Sequence, residues 1–127
     1  MKKNLKKAKN QLTGMHDKIT GDVRGLFGDV SDLTGDVSDL TGDASGLFGD
    51  VSRISGDVSG IYGYVSGIYG YVSDLSGDVS GLSGDVSGIY GYVSDLSGDL
   101  DACEISPEER KRGVNVADLI VGGEKQV

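Results

Sequence analysis

From Ile19 to Leu100 an aliphatic residue returns at alternating steps of four and three. Leu or Ile leads to Val four residues on, and Val leads to Leu or Ile three further on. A Gly lies two positions before each Val, so the unit "L-S-G-D-V-S-D" has a period of seven. A seam with steps of three and four is the mark of a coiled coil, with Val at a and Leu at d. The residues between argue against a helix. Residues 21–104 hold 18 Gly, each costing about 1 kcal/mol in a helix interior, or about 18 kcal/mol in sum.

A strand accounts for the same pattern. Side chains alternate faces along a strand. The four-residue step therefore puts Leu, Gly and Val of "L-S-G-D-V" on one face. The three-residue step breaks the alternation, so the chain must turn at the Ser-Gly or Ser-Asp pair, where Gly and Asp suit turn geometry. Each heptad reads as a strand plus a corner, and the array as an all-β solenoid. The Gly inside each strand is expected to face inward, letting the walls approach.

Outward positions suggest how many heptads close a coil. Phe27, Phe48, Tyr69 and Tyr90 are spaced by 21, as are Gly25, Gly46, Gly67 and Gly88. Coil stacking rewards columns of like side chains, so the spacing predicts a triangular coil of three heptads, 21 residues per coil and about four coils. On such a prism one face carries Phe27, Phe48, Tyr69 and Tyr90 beside Asp29, Asp50, Tyr71 and Tyr92. A second carries Asp36, Asp57, Asp78 and Asp99 beside Thr34, Ser55, Ser76 and Ser97. A third carries Thr20, Thr41, Tyr62 and Ser83 beside Asp22, Asp43, Tyr64 and Asp85. Corner carboxylates Asp32, Asp74 and Asp95 follow the first face. The Asp column would repel itself by about 1 kcal/mol per neighbouring pair.

Charge divides the chain of 127 residues into three. Residues 1–13 form a basic arm or short helix through Leu5, Ala8 and Leu12, residues 14–104 the heptad array, and residues 105–127 a C-terminal cap. Residues 1–20 carry six Lys and one Asp. Residues 21–104 carry 14 Asp and one Glu against Arg24 and Arg53, net -13, although the whole chain is only -8. In the last segment Ser106 is placed to cap a helix, with Pro107 in its first position. Glu108 and Glu109 suit its positive end, Arg110, Lys111 and Arg112 its negative end, and Gly113 its stop. The following "VNVADLIV" offers apolar groups to close the array, as repeat arrays require.

Chemistry is sparse. The single His16 and single Cys103 stand at opposite ends, and Cys103 falls on a Leu-equivalent position that reads as core. No zinc spacing, phosphate-binding glycine loop or nonapeptide calcium repeat occurs, so neither an enzyme nor a bound metal or cofactor is expected. The N-terminal segment lacks the apolar run of a signal or anchor. The chain reads as soluble and cytoplasmic, in a host cell if a phage encodes it, with no membrane association.

The "GDVSDLT", "GDVSGIY" and "GYVSDLS" units, followed by "GDLDACEISPEERKRGVNVADLI", resemble the heptapeptide-repeat proteins of phages and gut bacteria. The likeness runs over residues 14–121 and implies a β-solenoid without a single activity. In logic the array is also similar to pentapeptide-repeat proteins, whose acidic β-helices mimic DNA, although the unit here is seven. The resemblance and the charge together suggest a DNA mimic that inhibits a nuclease of the restriction or CRISPR type, or a topoisomerase. Its partner would be a protein with a basic nucleic-acid-binding groove, and the array itself would not bind nucleic acid. Asp36, Asp57, Asp78, Asp99, Asp74 and Asp95 would supply charge, and Tyr69, Tyr71, Tyr90 and Tyr92 the interface anchors. The alternative is a structural or adhesive rod, a virion or surface spacer, whose aromatic face offers a homodimer contact.

Overall fold

The computed structural model describes residues 1–5 and 11–121. Residues 1–5 are exposed and have no regular structure. The expected basic helix falls partly on residues 6–10, outside those described, and its Leu12 lies in a strand. Fourteen short strands follow one another: β1 (Leu12–Thr13), β2 (Ile19–Thr20), β3 (Leu26–Asp29), β4 (Leu33–Asp36), β5 (Leu40–Asp43), β6 (Leu47–Asp50) and β7 (Ile54–Asp57). Then come β8 (Ile61–Tyr64), β9 (Ile68–Tyr71), β10 (Leu75–Asp78), β11 (Leu82–Asp85), β12 (Ile89–Tyr92), β13 (Gly98–Asp99) and β14 (Val114–Asn115).

Every strand pairs in parallel with the strand two further on. The odd-numbered strands make one seven-stranded sheet and the even-numbered strands another. The molecule is a β-solenoid of about six turns with two walls. The three-walled coil of 21 residues and the count of four coils are thereby corrected: two heptads close each coil. The reason lies in two bends per heptad. Leu33 N–H donates to the Val30 carbonyl at 3.0 Å across Ser31 and Asp32, and the same turn recurs at each corner up to Leu96. This is the turn that the three-residue step predicts. A second bend lies inside the strand, at the glycine. Gly28 has φ +93°, a region that side chains disfavour, and a Cβ there would collide with Asp43 Oδ1 and Ser45 Oγ of the next coil. The repeat glycine is thus a kink under a close neighbour, rather than a spacer between the walls. Turn and kink together reverse the chain within seven residues.

Leu, Ile and Val of both walls fill the space between them. Leu33, Val37, Ala44, Val51 and Val58 are fully buried, and the whole series from Ile19 to Val93 forms one core. Burying each such side chain contributes about 1.5–3 kcal/mol. No charged or polar residue among those described is buried.

Pairing is staggered. Leu26 sits beside Gly42 and Phe27 beside Asp43, a step of 16 residues, whereas two heptads contain 14. Each outward residue of a strand therefore neighbours the Asp-position residue of the next coil.

The array ends where the heptad ends. After β13 the chain enters a 3-10 turn, Leu100–Cys103, in which Leu100 takes the buried place. Cys103 is exposed, which corrects its reading as a core residue. The Leu-equivalent register has lapsed by that point, and Cys103 lines the mouth of a groove of about 350 Å³ with Leu82, Leu96, Val116 and Leu119. Helix α1 (Pro107–Arg112) has Ser106 and Glu109 in a reciprocal capping box and Gly113 at its C-terminus. Arg110 Nη1 donates to the carbonyls of Asp85 and Ser87, at 2.8 and 2.6 Å. β14 then pairs with β12, and Val116 enters the core.

Candidate functional site

The carboxylates are part of the solenoid's own bonding. In "G-D-V-S" the Asp side chain caps the corner that follows it. Asp36 Oδ1 accepts from Ser38 N–H at 2.9 Å and from Ser38 Oγ at 2.6 Å. The same serine hydroxyl accepts from Asp22 N–H, one coil earlier, at 3.0 Å. Corresponding links join Asp57 N–H to Ser73 and Asp78 N–H to Ser94, both at 2.8 Å. Asp57, Asp78 and Asp99 each accept a backbone N–H two residues on. The serine hydroxyl is the first cause holding the carboxyls of Asp29, Asp36, Asp43 and Asp78 below their ordinary pKa. For Asp50 it is the Ser52 backbone N–H.

The Asp column expected from 21-residue spacing does not exist. With two walls, residues 21 apart alternate between faces. Asp36 and Asp78 lie on the even face, Asp57 and Asp99 on the odd face. Asp74 sits at the corner entering β10, and Asp95 at the corner after β12. The stagger also relieves the expected repulsion. Asp36 pairs with Thr20, Asp57 with Thr41, Asp78 with Tyr62 and Asp99 with Ser83, so none faces another Asp across the ladder.

The aromatic residues divide unequally. Tyr69 and Tyr71 are on the odd face with Phe27, whereas Tyr90 and Tyr92 share the even face with Phe48, Tyr62 and Tyr64. Adjacent register sets Phe48 beside Tyr64, with ring centroids 5.6 Å apart. The 21-residue spacing does not single out Phe48, Tyr62 and Tyr64 as site residues; the signal that finds them is a lag of 14 or 16.

Tyr69 is satisfied within the chain. Its hydroxyl donates to Asp101 Oδ2 at 2.7 Å, and the Arg53 guanidinium lies over its ring at 4.9 Å. Its hydroxyl pKa is raised, first by that bond to Asp101. The even-face rings have no such cover: Tyr62, Tyr64 and Phe48 are 47, 45 and 46% exposed. Beyond them Tyr90 borders Arg110, Lys111 and Arg112 of the cap.

Among the described residues no cluster of His, Cys, Asp and Glu is grouped to hold a metal ion, and no helix is long and apolar enough to cross a membrane. Comparisons with protein-family models, with curated proteins and with solved structures returned no match.

Proposed function

We propose that this chain is an inhibitor that occupies the nucleic-acid groove of a DNA-processing protein, a nuclease or a topoisomerase, by presenting carboxylates in place of phosphates. The observation that carries the reading is that the array's charge is all at the surface: 14 Asp and one Glu against two Arg, with no charged residue buried among those described. Seven strands per wall at ~4.8 Å spacing give a rod of about 29 Å. A net -13 over that length is about one charge per 2.2 Å, against about one per 1.7 Å for duplex DNA. A groove that gains affinity by replacing counterions on phosphate gains it equally from such a rod. Asp-to-serine bonds hold the carboxylates in fixed positions, so little side-chain entropy is lost on docking.

The competing reading is a structural rod. The bonds from Asp36, Asp57 and Asp78 to serine favour it, because they give those carboxylates a role in folding. Changing Asp36, Asp57, Asp78 and Asp99 to Asn separates the two, since Asn keeps the acceptor oxygen and removes the charge. The test is inhibition of a panel of restriction and CRISPR nucleases and topoisomerases at about 50 and about 200 mM salt. DNA-competitive inhibition that falls steeply with salt and with the four substitutions is the expected result. Absence of inhibition across the panel, or inhibition indifferent to both, overturns the proposal.

A further inference from the structure

The step of 16 residues relates Arg53 to Tyr69, the ring it covers. Applied to the other wall, the same step relates Gly46 to Tyr62. A Cβ built on Gly46 would stand 2.8 Å from Tyr62 Cβ, so the two corner positions bear the same relation to their rings. The place that Arg53 fills above Tyr69 is empty above Tyr62. The surroundings match as well. Asp85 is the ladder partner of Tyr69, and Asp78 that of Tyr62. Tyr62 is 47% exposed and lies beside Phe48 and Tyr64 on neighbouring positions of one sheet. The corresponding corners for Phe48 and Tyr90 carry Asp32 and Asp74, which add negative charge and no cation.

We infer that Tyr62, with Asp78 beside it and the gap at Gly46 above it, is a receptor for an arginine side chain of a protein partner. Arginine is the fitting ligand because its flat guanidinium stacks on an aromatic ring while donating to carboxylates at the ring's edge. A lysine ammonium has the charge but not the plane. The inference rests on the reading that the partner's groove is basic. It adds that the even wall is the docking face, and that the odd wall is not, since Arg53 already covers its Tyr69.

The probes are hexa-arginine and hexa-lysine peptides, titrated into the whole chain at constant ionic strength while tyrosine ring resonances are followed by NMR. Hexa-arginine is expected to bind about fivefold more tightly than hexa-lysine, with the largest shift at the Tyr62 ring. Two variants remove the receptor without changing the repeat. Tyr62→Ser introduces the residue already present at positions 55, 76 and 83 and leaves the charge unaltered. Gly46→Arg fills the gap from within, as Arg53 does on the other wall. Each should bring the two peptides to equal affinity, while Tyr71→Asp on the odd face should leave the preference intact. Equal affinity in the unaltered protein, or a preference that survives both variants, overturns the inference. So does self-association by sedimentation that Tyr62→Ser abolishes, because the face then belongs to a second copy. A peptide preference without inhibition of any enzyme retains the receptor and discards the mimic. Inhibition indifferent to Tyr62→Ser does the reverse.

Discussion

The backbone N–H of Asp78 donates to the hydroxyl of Ser94, 2.8 Å away and 16 residues ahead. Coil is tied to coil through this contact outside the sheet ladder. Replacing Ser94 by Ala leaves a half-buried N–H without that partner, and is expected to cost about 1 kcal/mol. Urea denaturation with an unchanged m-value checks it.

Glycines of the two kinds should respond in opposite ways. Gly63 has φ +101°, and its Cβ would collide with Asp78 Oδ1 and Ser80 Oγ. Gly63→Ala is expected to destabilise by about 1–3 kcal/mol or more. Gly60 is at a corner with ordinary φ, and an added methyl would stand 3.2 Å from the Leu75 carbonyl oxygen. Gly60→Ala should stay within about 0.5 kcal/mol. Thermal melts of the two variants side by side decide the matter, and equal effects would remove the kink from the explanation of the fold.

The acid limb of stability follows from the serine-bonded carboxyls. Asp29, Asp36, Asp43 and Asp78 have folded pKa values below those of the unfolded chain. Asp22, held to Arg24, is lowered to about 2. A depressed carboxyl pKa stabilises fully above the unfolded value and loses that contribution as pH falls through the folded one. The melting temperature should therefore hold from pH 7 to about pH 5 and decline below about pH 4. Repulsion among the carboxylates works in the other direction. A melting temperature that rises between pH 4 and 2 would make repulsion the larger effect.

Cys103 offers a direct check on the end of the array. It is exposed, so a thiol reagent should titrate it fully in the native protein, at a rate close to that in urea. Protection until unfolding would return it to the core.

The sequence carried the strand and the corner plainly. The Leu–Val step of four, the Val–Leu step of three and the Ser-Asp or Ser-Gly pair between them lead to the turn that Val30 and Leu33 close. It did not carry the number of walls. Core positions are the same in every heptad, so their period is seven whether two or three heptads make a coil. Only outward residues differ, and no packing constraint obliges Phe27, Phe48, Tyr69 and Tyr90 to share a face. The glycine's purpose was hidden for a related reason: composition marks where a Gly stands, while the need for φ near +100° depends on Asp and Ser one coil away. The grouping of Phe48 with Tyr64 was equally out of reach, because it requires the two-residue stagger between strands.

That stagger, and the division into two walls, give the repeat a parity. Gain or loss of one heptad leaves every Leu, Val and Gly in an acceptable place, so the interior does not register the change. Beyond that point, however, each outward side chain moves to the opposite wall. Insertion of a single heptad after Val51 would send Tyr62 and Tyr64 across the molecule from Phe48, whereas a pair of heptads would keep them on its side. Length can therefore drift freely as far as folding is concerned, while the surface pattern survives only changes made two units at a time.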